Sequence, residues 1–276
     1  MINKVIDISV NGSVGQPTMT TYFISPSDSY QIHERPCVVI CPGGGYGHVS
    51  DREGEFLALG FNARGINAVV IRYSVAPARY PVALLELAKG VKYIREHSEE
   101  FEIDPNRILI QGSSAGAHLA ASFAIFTMQD EFISMVSEEI DIEDSKDIKV
   151  NGIMLSYPVI TSGEYAHRGS FECLLGEKYD ELIDIMSLEN QKLEGLPPVF
   201  LWHTYADNTV PVENSILFML ALRKAKVPFE SHIYPMGSHG LALGNELTTS
   251  KEGKELVPYV SSWFGMACEF VNKFIV

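Results

Sequence analysis

The stretch Asn106-Arg107-Ile108-Leu109-Ile110-Gln111-Gly112-Ser113-Ser114-Ala115-Gly116-Ala117-His118 decides how this chain folds. Its first six residues are a short apolar strand, entered through the Asp104-Pro105 turn. From Ala117 to Met128 the chain is rich in Ala, Leu and Phe and reads as a buried helix. Between them lies Gly112-Ser113-Ser114-Ala115-Gly116, a Gly-x-Ser-x-Gly at a strand-to-helix junction. Glycines on either side let the backbone turn sharply with no Cβ in the way. The central serine is then held with its hydroxyl exposed at a helix N-terminus. About one chain in ten of this length would carry the pentapeptide by chance. The flanking strand and helix supply the specificity and make Ser114 the candidate nucleophile.

Working outward, the 276 residues suffice for one large α/β domain. With 46% hydrophobic and 20% charged residues, the composition is that of a globular protein. Twenty-one basic against 35 acidic side chains leave a formal charge of −14, which argues against nucleic acid or an anionic membrane surface as partners. Apolar runs are too short to span a bilayer. Met1-Ile2-Asn3-Lys4-Val5-Ile6-Asp7 has no long apolar core or small-residue cleavage site, so a cytoplasmic location is the expectation. Cys37, Cys41, Cys173 and Cys268 form no Cys-x-x-Cys pair and have no His at zinc-ligand spacing, so they read as reduced thiols and no metal is expected.

Residues 3–25 alternate like two antiparallel strands about an Asn11-Gly12 turn. Cys37-Val38-Val39-Ile40-Cys41 is a continuous apolar run, as a buried central strand requires, and it ends in Pro42-Gly43-Gly44-Gly45-Tyr46. Further strands are expected at Val69–Tyr73, Gly152–Tyr157, Val199–His203 and Phe229–Tyr234. Helices are expected at Glu53–Arg64, Pro81–Glu99, Pro211–Lys224 and Glu255–Ile275. Strands alternating with helices predict an α/β fold with a mainly parallel central sheet and helices on both faces. Functional loops should then follow residues 41, 111, 157, 203 and 234, at the carboxyl ends of the strands. Two segments break the rhythm. Acidic residues 130–149 read as a solvated excursion. Residues 158–198, long for a connection and rich in aromatics, read as a small cap over the serine.

A serine hydroxyl needs a base within reach, itself oriented by an acid. Of eight histidines, only His239, in Met236-Gly237-Ser238-His239-Gly240, falls in a downstream loop after a strand. His203 and His232 sit within expected strands and read as packing or surface residues; His118 reads as structural. Asp207 follows the preceding strand, with helix capping as its competing reading; Glu213 lies inside a helix and is a weaker candidate. Amides for a developing oxyanion should come from Ala115, directly after the nucleophile, and from the glycine run, where Gly44 and Gly45 are the candidates. A phosphate cradle is the competing reading of the run, but the run lacks both a following Lys-Ser/Thr and a Gly-x-Gly-x-x-Gly fingerprint. Tyr46, His48, Tyr165, His167 and Arg168 are candidate substrate contacts.

With these residues in view, the chain resembles α/β-hydrolase-fold esterases of the hormone-sensitive-lipase-like kind, in particular small bacterial lipase/esterases that are acetylxylan-esterase-like. The resemblance runs from Cys37-Val38-Val39-Ile40 to Trp263. It rests on Pro42-Gly43-Gly44-Gly45-Tyr46, Arg72-Tyr73, Asp104-Pro105-Asn106-Arg107-Ile108, the elbow with Ala117-His118-Leu119, Trp202-His203-Thr204, Val210-Pro211-Val212-Glu213-Asn214-Ser215 and Gly237-Ser238-His239-Gly240. It implies a triad of Ser114, Asp207 and His239, with Gly44, Gly45 and Ala115 as oxyanion donors. Pro42 stands where many relatives carry a histidine, and the N-terminal helical cap of larger relatives is missing.

The expectation is therefore a single domain over residues 1–276, with a cap-like insertion at about 158–198. It would hydrolyse short-chain acyl esters, carbohydrate esters among them, through an acyl-enzyme without cofactor or metal. A serine peptidase of the prolyl-oligopeptidase type shares the fold and triad order, but the chain has no propeller domain. A catalytically silent hydrolase fold used for binding would typically lack a triad member, and all three are present. The expected partner is a small-molecule ester. These residues are compatible with a homodimer and fix no oligomeric state.

Overall fold

A computed structural model describes residues 1–273. Its strands are β1 (Val5–Asp7), β2 (Thr18–Tyr22), β3 (Arg35–Cys41), β4 (Asn67–Arg72), β5 (Ile103–Ser113), β6 (Gly152–Ser156), β7 (Val199–Thr204) and β8 (Phe229–Tyr234). Among the described residues they form one eight-stranded sheet in the order β1-β2-β4-β3-β5-β6-β7-β8. β2 runs antiparallel to both β1 and β4; every pairing from β4 through β8 is parallel. The order reverses around β3, and β5 lies at the centre of the sheet with the elbow at its end.

Helices α1 (Glu55–Asn62), α2 (Val82–Glu96), α3 (Ala115–Phe126), α4 (Asp130–Glu139), α5 (Arg168–Leu175), α6 (Tyr179–Leu182), α7 (Glu213–Lys224) and α8 (Ser262–Lys273) complete the fold. Alternation along β3 sorts the core into two layers, as a pleated strand buried on both sides must. Cys37, Val39 and Cys41 pack on the side of α2, α3 and α7, whereas Val38 and Ile40 pack with Leu57 and Phe61 of α1 and Trp263, Cys268 and Phe270 of α8. Burial pushes the Cys268 thiol up to about 11 and raises those of Cys37 and Cys41 as well, so all three stay protonated.

Three stretches differ from expectation. Residues 130–149 are only partly a solvated excursion. Residues 130–139 form α4, because Phe132 and Val136 are one helical turn apart and both buried, with Phe132 against Phe123 and Phe126 of α3. The segment 158–198 is largely built into the core and sends His167 to the cleft that holds the serine. Its Phe171, Leu174, Leu175, Met186 and Leu188 are drawn into the core layer of α2 and α3. The closing helix begins at Ser262 rather than Glu255, after a run of turns; the expected end at Ile275 lies outside the described residues. Among the described residues, no single helix is long and apolar enough to cross a membrane.

Candidate active site

Ser114 sits at the junction of β5 and α3 with φ 55° and ψ −121°, a left-handed backbone conformation that costs on the order of 1–3 kcal/mol for a non-glycine residue. It is held there from both sides: its N–H donates to the Ser156 carbonyl at 2.9 Å, and its own carbonyl accepts from Ala117, His118 and Val159. The flanking glycines are required by close approach. A Cβ on Gly112 would stand 2.2 Å from the Gly116 carbonyl oxygen, and one on Gly116 would stand 2.1 Å from that of Cys41. Ser113 is fully buried, and its hydroxyl accepts from the Gln111 side-chain amide. Ser114 is the hydroxyl that reaches the surface cleft.

His239 arrives on the loop after β8 and Asp207 on the loop after β7. Two hydrogen bonds fasten these loops together, Tyr205 N–H to the Tyr234 carbonyl (2.7 Å) and Thr204 hydroxyl to the Gly237 carbonyl (2.8 Å). His239 Nε2 lies 2.8 Å from Ser114 Oγ, and its Nδ1 lies 2.6 Å from Asp207 Oδ2. The carboxylate can only accept, so Nδ1 carries the proton and Nε2 is left to accept from the serine hydroxyl. Asp207 also closes its own loop, Oδ1 accepting from the amides of Thr209 and Val210 at 2.9 Å each. Asp207 thus closes its own loop with one oxygen and meets the His239 ring with the other. Burial works against the charge on Asp207, but hydrogen bonds from His203, His239 and the Val210 amide outweigh it and hold the carboxyl well below the usual carboxylate range.

The glycine run after β3 faces the serine. Tyr73 Oη donates to the Pro42 carbonyl at 2.7 Å and anchors the start of the run. Gly43 N–H donates to Glu53 Oε2 at 2.7 Å and is thereby committed elsewhere. Gly44, with φ 129°, makes a turn in which its carbonyl accepts from the amides of Gly47 and His48. A Cβ at Gly44 would stand 2.1 Å from the His48 carbonyl oxygen, so only glycine fits. Among the described residues the amides of Gly44, Gly45 and Ala115 meet no acceptor. That leaves them open to a negatively charged oxygen in the cleft.

The cleft has a volume of about 280 Å³ and is lined by Gly44, Gly45, His48, Arg52, Ser114, His167, Thr209 and His239, among others. His48 is exposed at its rim. His167 is the one residue that the 158–198 segment sends to the lining. Its Nδ1 bonds the Ser170 hydroxyl at 2.8 Å. Burial and the neighbouring His239 lower its pKa below the ordinary imidazole value. Three candidate substrate contacts are not brought here. Tyr46 is buried at 2% exposure, its hydroxyl 2.9 Å from His118 Nδ1, because the turn at the glycine run swings the ring inward under α3. Arg168 opens α5 on the exposed side and does not line the cleft, and neither does Tyr165.

Three residues of the site carry no signal in the sequence. Glu53 is buried at 3% exposure, and its other oxygen accepts from Tyr157 Oη at 2.6 Å. Tyr157 in turn accepts from the Ala242 amide at 3.1 Å and sets its ring edge-on to His239, centroids 5.0 Å apart. His203 is fully buried. Its Nε2 donates to the Val210 carbonyl at 3.0 Å and lies 3.3 Å from Asp207 Oδ2, and its Nδ1 meets the Ser215 hydroxyl. Glu53 lies in a charged run at a helix start, where a solvated side chain is the ordinary expectation.

A central parallel sheet with a serine elbow after β5, an acid after β7 and a histidine after β8 defines an α/β-hydrolase fold. Residues 26–222 match the family described as BD-FAE, and the chain belongs to that family. It is 38% identical over 218 residues to endo-1,4-beta-xylanase B of Butyrivibrio fibrisolvens and 29% identical over 233 residues to an acetylxylan esterase of Xylanibacter ruminicola. These alignments take in 77% and 82% of this chain but only 33% and 44% of those proteins, so the chain spans less than half of either. Among solved structures, an acetyl ester-xyloside bifunctional hydrolase from Caldicellulosiruptor lactoaceticus superposes with a TM-score of 0.81 at 34% identity, over 99% of this chain and 97% of that one. An α/β hydrolase, MGS-M1, from a Medee basin deep-sea metagenome superposes at 0.77 with 29% identity, over 100% and 98%.

Proposed function

We propose that the protein is a serine carboxylesterase that hydrolyses short-chain acyl esters, with acetylated carbohydrates among its substrates. The carrying observation is the continuous line Asp207–His239–Ser114, with links of 2.6 and 2.8 Å, ending beside three unengaged amides. His239 Nε2 takes the proton as Ser114 Oγ attacks the ester carbonyl. The developing oxyanion is received by the N–H groups of Gly44, Gly45 and Ala115. Asp207 stabilises the imidazolium and holds its tautomer. Collapse transfers the proton from Nε2 to the leaving alcohol and leaves acyl-Ser114. Water, deprotonated by the same nitrogen, then releases the acid and regenerates the serine.

The alcohol side of the ester has hydrogen-bonding neighbours: His167 Nε2 and the exposed His48 ring have no partners among the described residues and line the cleft. Sugar hydroxyls would find donors and acceptors there. The similarity to an acetylxylan esterase and to an acetyl ester-xyloside hydrolase supports the same substrate class. The test is acetate release from acetylated xylose and xylo-oligosaccharides beside a panel of aryl esters, with Ser114→Ala as blank. Brisk turnover of aryl acetates with no acetate from the sugars would remove the carbohydrate part. No Ser114-dependent turnover of any ester would remove the whole reading.

A further inference from the structure

Glu53 is an unusual group to find beneath a cleft of this kind. It is a carboxyl at 3% exposure that forms no ion pair among the described residues. Each of its oxygens accepts one short hydrogen bond, from Gly43 N–H (2.7 Å) and from Tyr157 Oη (2.6 Å). Leaving such a group in the interior is costly unless its bonds are needed. The two donors belong to different parts of the site. Gly43 stands in the glycine run, so close to the nucleophile that a Cβ there would lie 2.9 Å from that of Ser114. Tyr157 ends the β6 arm, holds the Ala242 amide of the histidine loop and lies edge-on to the His239 ring.

We propose that Glu53 is a positioning residue joining the two halves of the site, the glycine run through Gly43 and the His239 loop through Tyr157. The proposal rests on the esterase reading above and adds a residue to it. Its physical content is a choice between peptide orientations. A run of three glycines has little intrinsic preference, and any of its amides could turn toward the cleft. By engaging Gly43 N–H, Glu53 orients the 42–43 peptide away from the cleft and leaves Gly44 and Gly45 to offer theirs. Tyr157 carries the constraint across the site. Burial and the Glu53 charge keep its phenol protonated, so it donates to Glu53 while its oxygen accepts from Ala242. The oxyanion donors and the imidazole are thus referenced to one carboxyl. An ester that reacts through a tetrahedral intermediate needs both in register at once.

Glu53→Gln tests this, since the amide keeps the size but offers only one accepting oxygen for two donors. The expected result on an aryl acetate is a fall in kcat of about 30-fold or more, with KM changed less than threefold, in keeping with the worth of an oriented oxyanion donor. Inhibition by phenylboronic acid, which forms a tetrahedral adduct on the serine, should weaken by a similar factor. Tyr157→Phe removes one link and keeps the ring, and should lower kcat about tenfold. The double variant should be no more than about twofold worse than Glu53→Gln, because both changes break one chain of contacts. Wild-type turnover that depends on Ser114, together with Glu53→Gln retaining kcat within threefold, would overturn the proposal. Should Glu53→Gln fail to fold, an unaltered kcat in Tyr157→Phe would overturn it equally. A wild type with no Ser114-dependent turnover overturns the esterase reading instead, and the two failures are distinguishable.

Discussion

His203 near the end of β7 and Asp207 four residues on, in the loop after it, lie with Nε2 3.3 Å from Oδ2, and both side chains are completely shielded from solvent. The imidazole reads as a packing residue in the sequence and stands behind the acid in the structure. His203→Ala removes a donor facing Asp207 and the bond that holds the Val210 carbonyl. A hydrogen bond to a charged group is worth about 1.5–3 kcal/mol, so kcat on an aryl acetate should fall by roughly ten- to a hundredfold with KM little changed. Steady-state kinetics beside a melting curve checks this, and an unaltered kcat would show the contact to be idle.

Two serines are adjacent in the elbow, and their environments differ. Ser114 meets His239 in the cleft, whereas Ser113 is buried and faces Gln111. Fluorophosphonate labelling followed by peptide mapping should place the adduct on Ser114 alone. Ser114→Ala should lose labelling and turnover. An adduct on Ser113 would sink the assignment.

Ser114→Ala and His239→Ala should each lose activity to about the same degree, and the double variant should lose little more, because the hydroxyl is useless without its base. Asp207→Asn should cost roughly 10³–10⁴ in kcat, since an amide opposite Nδ1 no longer selects the tautomer with its proton there. Near-normal turnover in Asp207→Asn would point to another carboxylate.

The cleft of about 280 Å³ is open, and the 158–198 segment sends one side chain to it. Acyl chains beyond a few carbons would leave methylenes in water, each forgoing about 0.8 kcal/mol. The highest kcat/KM is expected on acetyl to butyryl esters, with little on lauryl or longer chains. A p-nitrophenyl ester series measures this directly, and a preference for long chains would contradict it.

His118 links stability to pH. Burial pushes its pKa down to about 4 from 6.5, with the bond to the Met186 carbonyl acting weakly the other way. The unfolded chain takes up this proton near 6.5 and the folded chain only near 4, so the unfolded state binds more protons in between. Stability is therefore lost as pH falls from 6.5 toward 4, by about 3 kcal/mol from this group. Asp207, held below its ordinary 3.8, loses its contribution only at lower pH. Burial raises the pKa of Glu86 from its ordinary 4.5, so this group acts with the opposite sign from there upward. The comparison is accordingly between wild type and His118→Gln. Denaturant midpoints at pH 7 and 4.5 should converge in the variant relative to wild type; equal losses in both would exclude His118 as the source.

Much of this protein is local and hence legible in its sequence. The apolar run Cys37–Cys41 and the alternation of strands with helices determine a buried parallel sheet, because side-chain periodicity and βαβ connectivity are properties of short segments. The elbow is legible because Gly112 and Gly116 are demanded by backbone contacts within a few residues of Ser114 or across one strand. Chain order singles out Asp207 and His239, each on the loop after its strand. What only the tertiary structure decided depends on which distant surfaces meet. Phe132 and Val136 make residues 130–139 a packed helix because α3 offers an apolar face, while Tyr46 turns inward because His118 waits beneath it. Glu53 meets Tyr157 across 104 residues of chain, and His203 is buried beside the carboxylate its own strand leads into. A charged side chain in a helix-start run carries no mark of the donors that the folded chain will bring to it, and that is why this buried carboxyl is silent in the sequence.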